Sequence, residues 1–303
     1  MNDKWNFEMD EKTLNIYRNL SNQINKAFRH TRQGSIKTRH RYEDGMNHFA
    51  KFLAEAFKKQ NLNRIEDKHL QSYVEQMQES GYSKSYVTTN LSAIRYFIDL
   101  KGGDSRRLST NKELGVEHRT KEDRIGSNKA WSEAEVNKFI EYAEKNKEIR
   151  YADMVKLAYS QGLRIHEVAR LDKSQLVKSL QEGILIVKGK GGLLRKIPLH
   201  NRELVQKLCD NTKNGEKVFI DKNEKTHKVI NNLQVFIYNH NKEFSNKEDR
   251  NLTFHGLRHA YAQNRYQYFI NKGVDDYNAR LKVSKELGHF RVEITDIYLN
   301  KKK

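Results

Sequence analysis

The stretch LGHFRVEITDIYL, residues 287–299, ends in a tyrosine that follows a histidine at nine positions, His289 to Tyr298. Three other pieces upstream combine arginine with glycine, the first and last of them with histidine as well: TFHGLRHAYA (253–262), VKGKGGLLRKIPL (187–199) and SQGLRIHEVARL (160–171). Taken singly, each has an ordinary explanation. An arginine just after a glycine helix stop, as Arg164 follows Gly162, is commonly a surface or capping residue. KGKGG is more often a plain hairpin turn than a phosphate cradle, and it lacks the spacing and the Ser/Thr after Lys of a Walker loop. HGLRH fits two histidines on a helix surface, and a late tyrosine such as Tyr298 is usually a core or rim aromatic.

The surrounding pattern is mainly helical. Pro198 is the only proline, and charged residues recur at helical spacing, so little interrupts helices. Leu14, Tyr17, Leu20, Ile24 and Phe28 form one apolar stripe, and Tyr42, Met46, Phe49, Leu53 and Phe57 a second. Leu70, Tyr73, Val74 and Met77 form a third that Gly81 ends, and Ser83 is an N-cap for a fourth through Tyr86, Val87, Leu91, Ile94, Phe97 and Ile98. Residues 1–103 therefore read as a bundle of four or five helices with a basic edge, RHTRQGSIKTRHR at 29–41. Residues 104–130 lose apolar periodicity and read as an exposed charged linker, or as a basic arm that orders on a polyanion. Order resumes at Trp131. Ser132 and Glu135 have capping-box spacing ahead of Val136, Phe139, Ile140 and Ala143. Residues 152–161 form another helix stopped by Gly162, and a further one starts near Arg164. Ile184–Val187 and Arg195–Leu199 are β-like runs around KGKGG, which predicts a hairpin. The rest is helical. The fold class is thus mainly α with a small antiparallel β-sheet, in two domains, 1–103 and 131–303.

Composition narrows the partners. The 303 residues carry 57 Lys+Arg against 39 Asp+Glu, a formal net charge of +18. Such an excess points to a polyanion, nucleic acid first and an anionic membrane surface second; simple solubility is the plain alternative. No apolar run approaches the ~20 residues of a membrane span, and the polar start MNDKWNFEMDEK lacks the apolar core of a signal peptide. A single cysteine, Cys209, leaves no intramolecular disulfide or cysteine metal cluster, and a cytoplasmic location is expected.

Order and spacing join the four pieces. Arg164 sits in GLRIHE, Lys190 between the glycines of GKG, and His255 lies three before Arg258. His289 follows Leu287-Gly288, and Tyr298 closes the series. Together they resemble the tyrosine recombinase (phage integrase) family, in specific motifs over 131–303 and in style only over 35–103. The resemblance implies a helical, SAM-like core-binding domain and an α+β catalytic domain that clamp duplex DNA. It also implies two protomers per crossover site and a tetramer in synapsis. Cleavage and rejoining would pass through a 3′-phosphotyrosine, serving DNA recombination or integration in a phage or mobile element, with no cofactor, metal or ATP. Arg164 and Arg258 would hold the phosphate, Tyr298 attack, and His255 accept its proton. Lys190 would protonate the 5′-oxygen and His289 hydrogen-bond the phosphate.

Those residue types suit the reaction. Phosphodiester transfer gathers negative charge on non-bridging oxygens, which a guanidinium fork binds in pairs, and a tyrosine hydroxyl, ordinarily of pKa about 10, must lose a proton to attack. Lys188 competes with Lys190, His259 with His255, and Tyr261 and Tyr277 with Tyr298, each at the wrong spacing. Glu167, one helical turn after Arg164, is expected to orient local backbone or an arginine in a support role. Two features depart from the family pattern: 31 positions separate Arg258 from His289, so that QYFINKGVDDYNARL (267–281) reads as an insertion, and LNKKK alone follows Tyr298, so that tail exchange between subunits is not expected. Two other readings use the same residues, a relaxing topoisomerase and a catalytically inactive DNA-binding protein.

Overall fold

The computed structural model describes residues 7, 9–29, 31, 34–189, 192–247 and 250–301, with the side chains of 121 and 122 excepted. The chain divides after Thr120 into two compact units. In the first, α1 (Glu11–Arg29), α2 (Ile36–Phe57), α3 (Asp67–Glu79) and α4 (Lys84–Leu100) turn their apolar stripes onto one core. Serines set the starts of α2 and α4: Ser35 Oγ accepts the Thr38 N–H at 3.1 Å and Ser83 Oγ that of Tyr86 at 3.3 Å, each satisfying an otherwise orphaned donor. On α1 the fully inward residues are Ile16, Leu20, Ile24 and Phe28, with Leu14 and Tyr17 at the rim. Each fully buried apolar side chain contributes roughly 1.5–3 kcal/mol. The buried Tyr73 hydroxyl is met by His48 Nδ1 at 2.6 Å and by the Asn90 amide at 3.1 Å.

The stretch expected to be an exposed linker, 104–130, is only partly so. Ser105–Arg107 form a 3₁₀ turn, and Leu114 and Val116 are buried in the first unit's core. Arg95 donates to Asn111 Oδ1 at 2.7 Å and Gln78 to the Gly115 carbonyl at 3.2 Å, tying the segment down. Two apolar residues in a charged run make no period, so periodicity does not register them. On the other side of the division, α5 (Lys121–Ile125) belongs to the second unit and buries Ile125.

The second unit continues with α6 (Glu133–Lys145), α7 (Ile149–Gln161), the single turn α8 (Ile165–Val168) and α9 (Lys173–Glu182). Strands β1 (Ile184–Lys188) and β2 (Leu194–Pro198) pair antiparallel, Ile184 opposite Pro198 and Lys188 opposite Leu194. Then come α10 (Arg202–Asp210), α11 (Thr226–Asn239), α12 (Asn241–Phe244), α13 (Phe254–Asn271), α14 (Asp276–Leu287) and α15 (Val292–Leu299). Leu185, Val187, Arg195 and Ile197 face inward by the two-residue alternation of a half-buried strand. The core joins α6, α7, the hairpin and α13 through Phe139, Leu157, Leu185, Ile197 and Leu257. The helix expected near Arg164 lasts one turn, because Asp172 accepts the Gln175 N–H at 2.9 Å and caps a new helix. Residues 267–281, the stretch that reads as an insertion, form the end of α13, a turn, and the start of α14. Among the described residues no helix is long and apolar enough to cross a membrane.

Candidate active site

The site is assembled where α7 ends, α13 begins and α14 gives way to α15. Gly162 ends α7 with φ 61, and its buried carbonyl becomes an anchor. Arg258, wholly buried near the start of α13, donates Nη1 to that carbonyl at 2.6 Å and Nη2 to the Leu287 carbonyl at the end of α14. Arg195, 4% exposed on β2, approaches the Gly162 carbonyl at 3.4 Å and bonds the Glu286 carbonyl at 2.5 Å. These two guanidiniums therefore bind the chain segments together as well as supplying charge. Each keeps an Nε without a hydrogen-bond partner among the described residues. Burial, and then the Arg195 cation, lower Arg258 to about 10, so it stays charged at neutral pH.

Glu167 is the carboxylate in this cluster. Its side chain is fully buried on α8, accepting the Arg164 backbone N–H at 2.7 Å, Arg164 Nη1 at 2.9 Å and Arg195 Nη2 at 2.5 Å. Burial alone raises its pKa; Arg195, the Arg164 backbone N–H, and the Arg258 and Arg164 charges outweigh that and hold it below the ordinary carboxylate range. Three guanidiniums thus surround one carboxylate, leaving an excess of positive charge.

Tyr298 lies against this excess. Its ring is 5.7 Å from the Arg258 guanidinium carbon and 4.6 Å from the His259 ring. Its hydroxyl is 3.1 Å from His289 Nε2, and Arg258 Nη2 is 3.3 Å from the same nitrogen. Arginine only donates, so this nitrogen is the acceptor and the tyrosine hydroxyl donates to it. The Tyr298 carbonyl accepts from Gln263 at 3.0 Å, which fixes the end of α15. His255 is exposed at the rim, its ring centre 5.8 Å from that of Tyr298. Desolvation by the surrounding protein, followed by the Arg258 and Arg164 cations, lowers both His255 and His289 to about 4. His259, buried beside Tyr298, is also lowered to about 4, by burial and then His255. All three imidazoles are therefore neutral at physiological pH.

The structure brings together five of the six residues singled out in the sequence: Arg164, His255, Arg258, His289 and Tyr298. Lys190 lies outside the described residues, as does Gly191. Of the residues on either side, Gly189 donates to the Leu193 carbonyl at 2.8 Å, and a Cβ on Gly189 would sit 4.0 Å from Arg164 Nη1. Lys188 is exposed at the end of β1. Of the rival tyrosines, Tyr277 is 58% exposed on α14, and Tyr261 is buried with its hydroxyl donating to Glu286 at 2.7 Å. Arg195 is the residue missed. Its signal was its alternation with Ile197, which marks an arginine on the inward face of β2.

Comparison with known proteins bears on the family and the fold. Residues 129–303 match the phage integrase family model, and residues 25–101 match the phage integrase N-terminal SAM-like domain. The chain is 25% identical over 280 residues to tyrosine recombinase XerC of Pediococcus pentosaceus, covering 88% of each. It is 25% identical over 262 residues to XerC of Natranaerobius thermophilus, covering 82% of each. The fold is similar to that of lambda integrase in a dimer bound to a COC′ core site, with TM-score 0.63, 15% identity, and coverage of 96% of this chain and 81% of that one. It is also similar to the Tn1549 transposon integrase in complex with a circular intermediate DNA, with TM-score 0.60, 14% identity and 94% of each chain covered. With a catalytic-domain match over more than half its length, a SAM-like domain ahead of it, and an Arg-His-Tyr cluster at the junction of α7, α13 and α15, the chain belongs to the phage integrase family of tyrosine recombinases.

Proposed function

We propose that this chain cuts and rejoins double-stranded DNA at specific sites through a covalent 3′-phosphotyrosine on Tyr298. The observation that carries the reading is the charge imbalance beside the nucleophile: Arg164, Arg195 and Arg258 against Glu167, with the Tyr298 hydroxyl on the same cluster. Buried cations in excess call for an anion, and a phosphodiester supplies one. Arg164 and Arg258 take the non-bridging oxygens and stabilise the charge that grows on them. The tyrosine oxygen forms a bond to phosphorus as the bond to the 5′-oxygen breaks.

The family resemblance makes His255 the proton acceptor, but the resting hydroxyl contacts His289 instead. We therefore assign the tyrosine proton first to His289 Nε2, with His255 on the phosphate side of the pocket. Lys190 is the proton donor to the leaving 5′-oxygen. A 5′-hydroxyl from another strand reverses the step, so the phosphotyrosine conserves the bond without ATP. By likeness to lambda integrase, captured as a dimer on a core site and as a tetramer on a Holliday junction, two protomers bind each site and four make the synapse. The cytoplasm, where DNA is accessible, is the proposed location.

The test is a nicked duplex library with randomised arms, incubated with the full chain and resolved on a denaturing gel. A covalent protein–DNA band that disappears in Tyr298→Phe supports the reading. DNA binding with no covalent band would make the chain a binder, and relaxation of plasmid without strand exchange would make it a topoisomerase.

A further inference from the structure

The segment 267–281 acquires a role from what it touches. α15 is held on α14 by a polar cluster on the side away from the pocket. Arg280 donates Nη1 to Asp296 Oδ1 at 3.0 Å and Nε to Asp276 Oδ2 at 2.9 Å. Lys301, just past α15, reaches Asp276 Oδ1 at 2.5 Å and the Tyr266 hydroxyl at 2.6 Å. The Tyr266 hydroxyl in turn donates to Asp276 at 2.6 Å. Thr295, fully buried, bonds the Arg280 carbonyl at 3.4 Å.

The members of this cluster differ in weight. The Asp276 and Lys301 side chains are 49% and 40% exposed, and a pair so exposed contributes at most about 1 kcal/mol. The Asp296 side chain is 6% exposed and that of Arg280 22%, so their bond is largely shielded and losing one partner leaves a buried charge. Geometry gives that bond its meaning. Asp296 and Tyr298 are two residues apart, hence about 200° around a helix, on nearly opposite faces. A roll of α15 that withdrew the Tyr298 hydroxyl from His289 would pull Asp296 off Arg280.

Taking Tyr298 as the nucleophile, we propose that Arg280 is a positioning residue, which with Asp276, Asp296 and Lys301 clasps α15 and sets the rotation that holds Tyr298 in its attacking place. The clasp lies within one chain, and two of its four members, Asp276 and Arg280, come from the segment that reads as an insertion. It touches no reacting atom and acts through the helix.

The experiment compares wild type, Arg280→Ala, Arg280→Lys and Asp296→Asn as full chains. The readouts are the rate of covalent adduct formation on a nicked duplex recovered from the library, the DNA concentration at half-saturation, the melting temperature, and amide hydrogen exchange over 292–299. Arg280→Ala is expected to lower the rate at saturating DNA about tenfold without moving half-saturation, since small misplacement of a reacting group costs this much or more. Exchange over 292–299 rises about tenfold, and Arg280→Lys, which keeps the cation, recovers most of both. The near-isosteric Asp296→Asn gives the same pattern if Arg280→Ala does not fold. Wild-type adduct rates in Arg280→Ala and Asp296→Asn overturn the proposal, as does unchanged exchange, or an Arg280→Lys no better than Arg280→Ala. A wild-type chain that forms no adduct, or forms it without Tyr298, overturns the nucleophile assignment instead, and exchange over 292–299 still decides whether the clasp holds α15.

Discussion

Glu167 shows how much of the pocket rests on single residues. It accepts from Arg164 and Arg195 with its side chain fully buried. Glu167→Ala leaves two cations facing each other without a counter-charge and is expected to cost about 3–5 kcal/mol, read as a fall in the denaturation midpoint. Arg258→Lys keeps the charge but loses the fork, and adduct formation is expected to fall about 10²-fold while DNA binding persists. The three histidines give a pH dependence. Their folded pKa values near 4 lie below the ordinary 6.5, so the unfolded chain binds more protons between those limits. Stability is complete above about pH 6.5 and falls as pH drops toward 4, by up to about 1.4 kcal/mol per pH unit for each histidine. For buried His259 the full slope applies; for His255 at the rim it is smaller. Melting scans from pH 7.5 to 5 test this, and a flat profile contradicts it. At this scale the sequence was informative where the chemistry fixes residue types in a set order, as for Arg164, Arg258, His289 and Tyr298. It named His255 for the tyrosine proton, whereas the resting hydroxyl meets His289, because the partner depends on how far α15 is turned.

At the level of elements, glycines place the chain where the side chains need it. Gly162 stops α7 with φ 61, and a Cβ there would collide with the Tyr261 ring. Gly256, in the first turn of α13, would place a Cβ 2.6 Å from Trp131 Cδ1, so close approach is what that position demands. Either glycine replaced by alanine is expected to lower stability by about 1–3 kcal/mol. Gly162→Ala should also slow adduct formation, because its carbonyl anchors Arg258. The pattern of helices and the hairpin was legible from period and caps. The arginine on the buried face of β2 was overlooked because charged residues in short strands are usually solvent-facing, although its register with Ile197 placed it inward. The packing of Leu114 and Val116 onto the first unit was not legible, since isolated apolar residues in a charged stretch carry no period.

The whole molecule is strongly basic, with a net charge of +18. Phosphate contacts made by such a protein release counterions, so affinity for duplex DNA is expected to fall about 10³-fold or more between 50 and 200 mM salt if six to ten phosphates are engaged. Fluorescence anisotropy on a labelled duplex measures the slope, and salt-insensitive affinity contradicts electrostatic embrace of DNA. Each of the two units has its own apolar core, and the division after Thr120 falls within 104–130, the stretch that carries no apolar period.

In the proposed reaction the side chains of Arg164, Arg258, His289 and Tyr298 act on one phosphorus atom. The most direct test is tandem mass spectrometry of the covalent complex formed on a nicked duplex after proteolysis and nuclease digestion. The expected result is a nucleotide joined through a 3′-phosphate to Tyr298 alone. A nucleotide on Tyr261, Tyr277 or any other residue, or an adduct that survives in Tyr298→Phe, contradicts it.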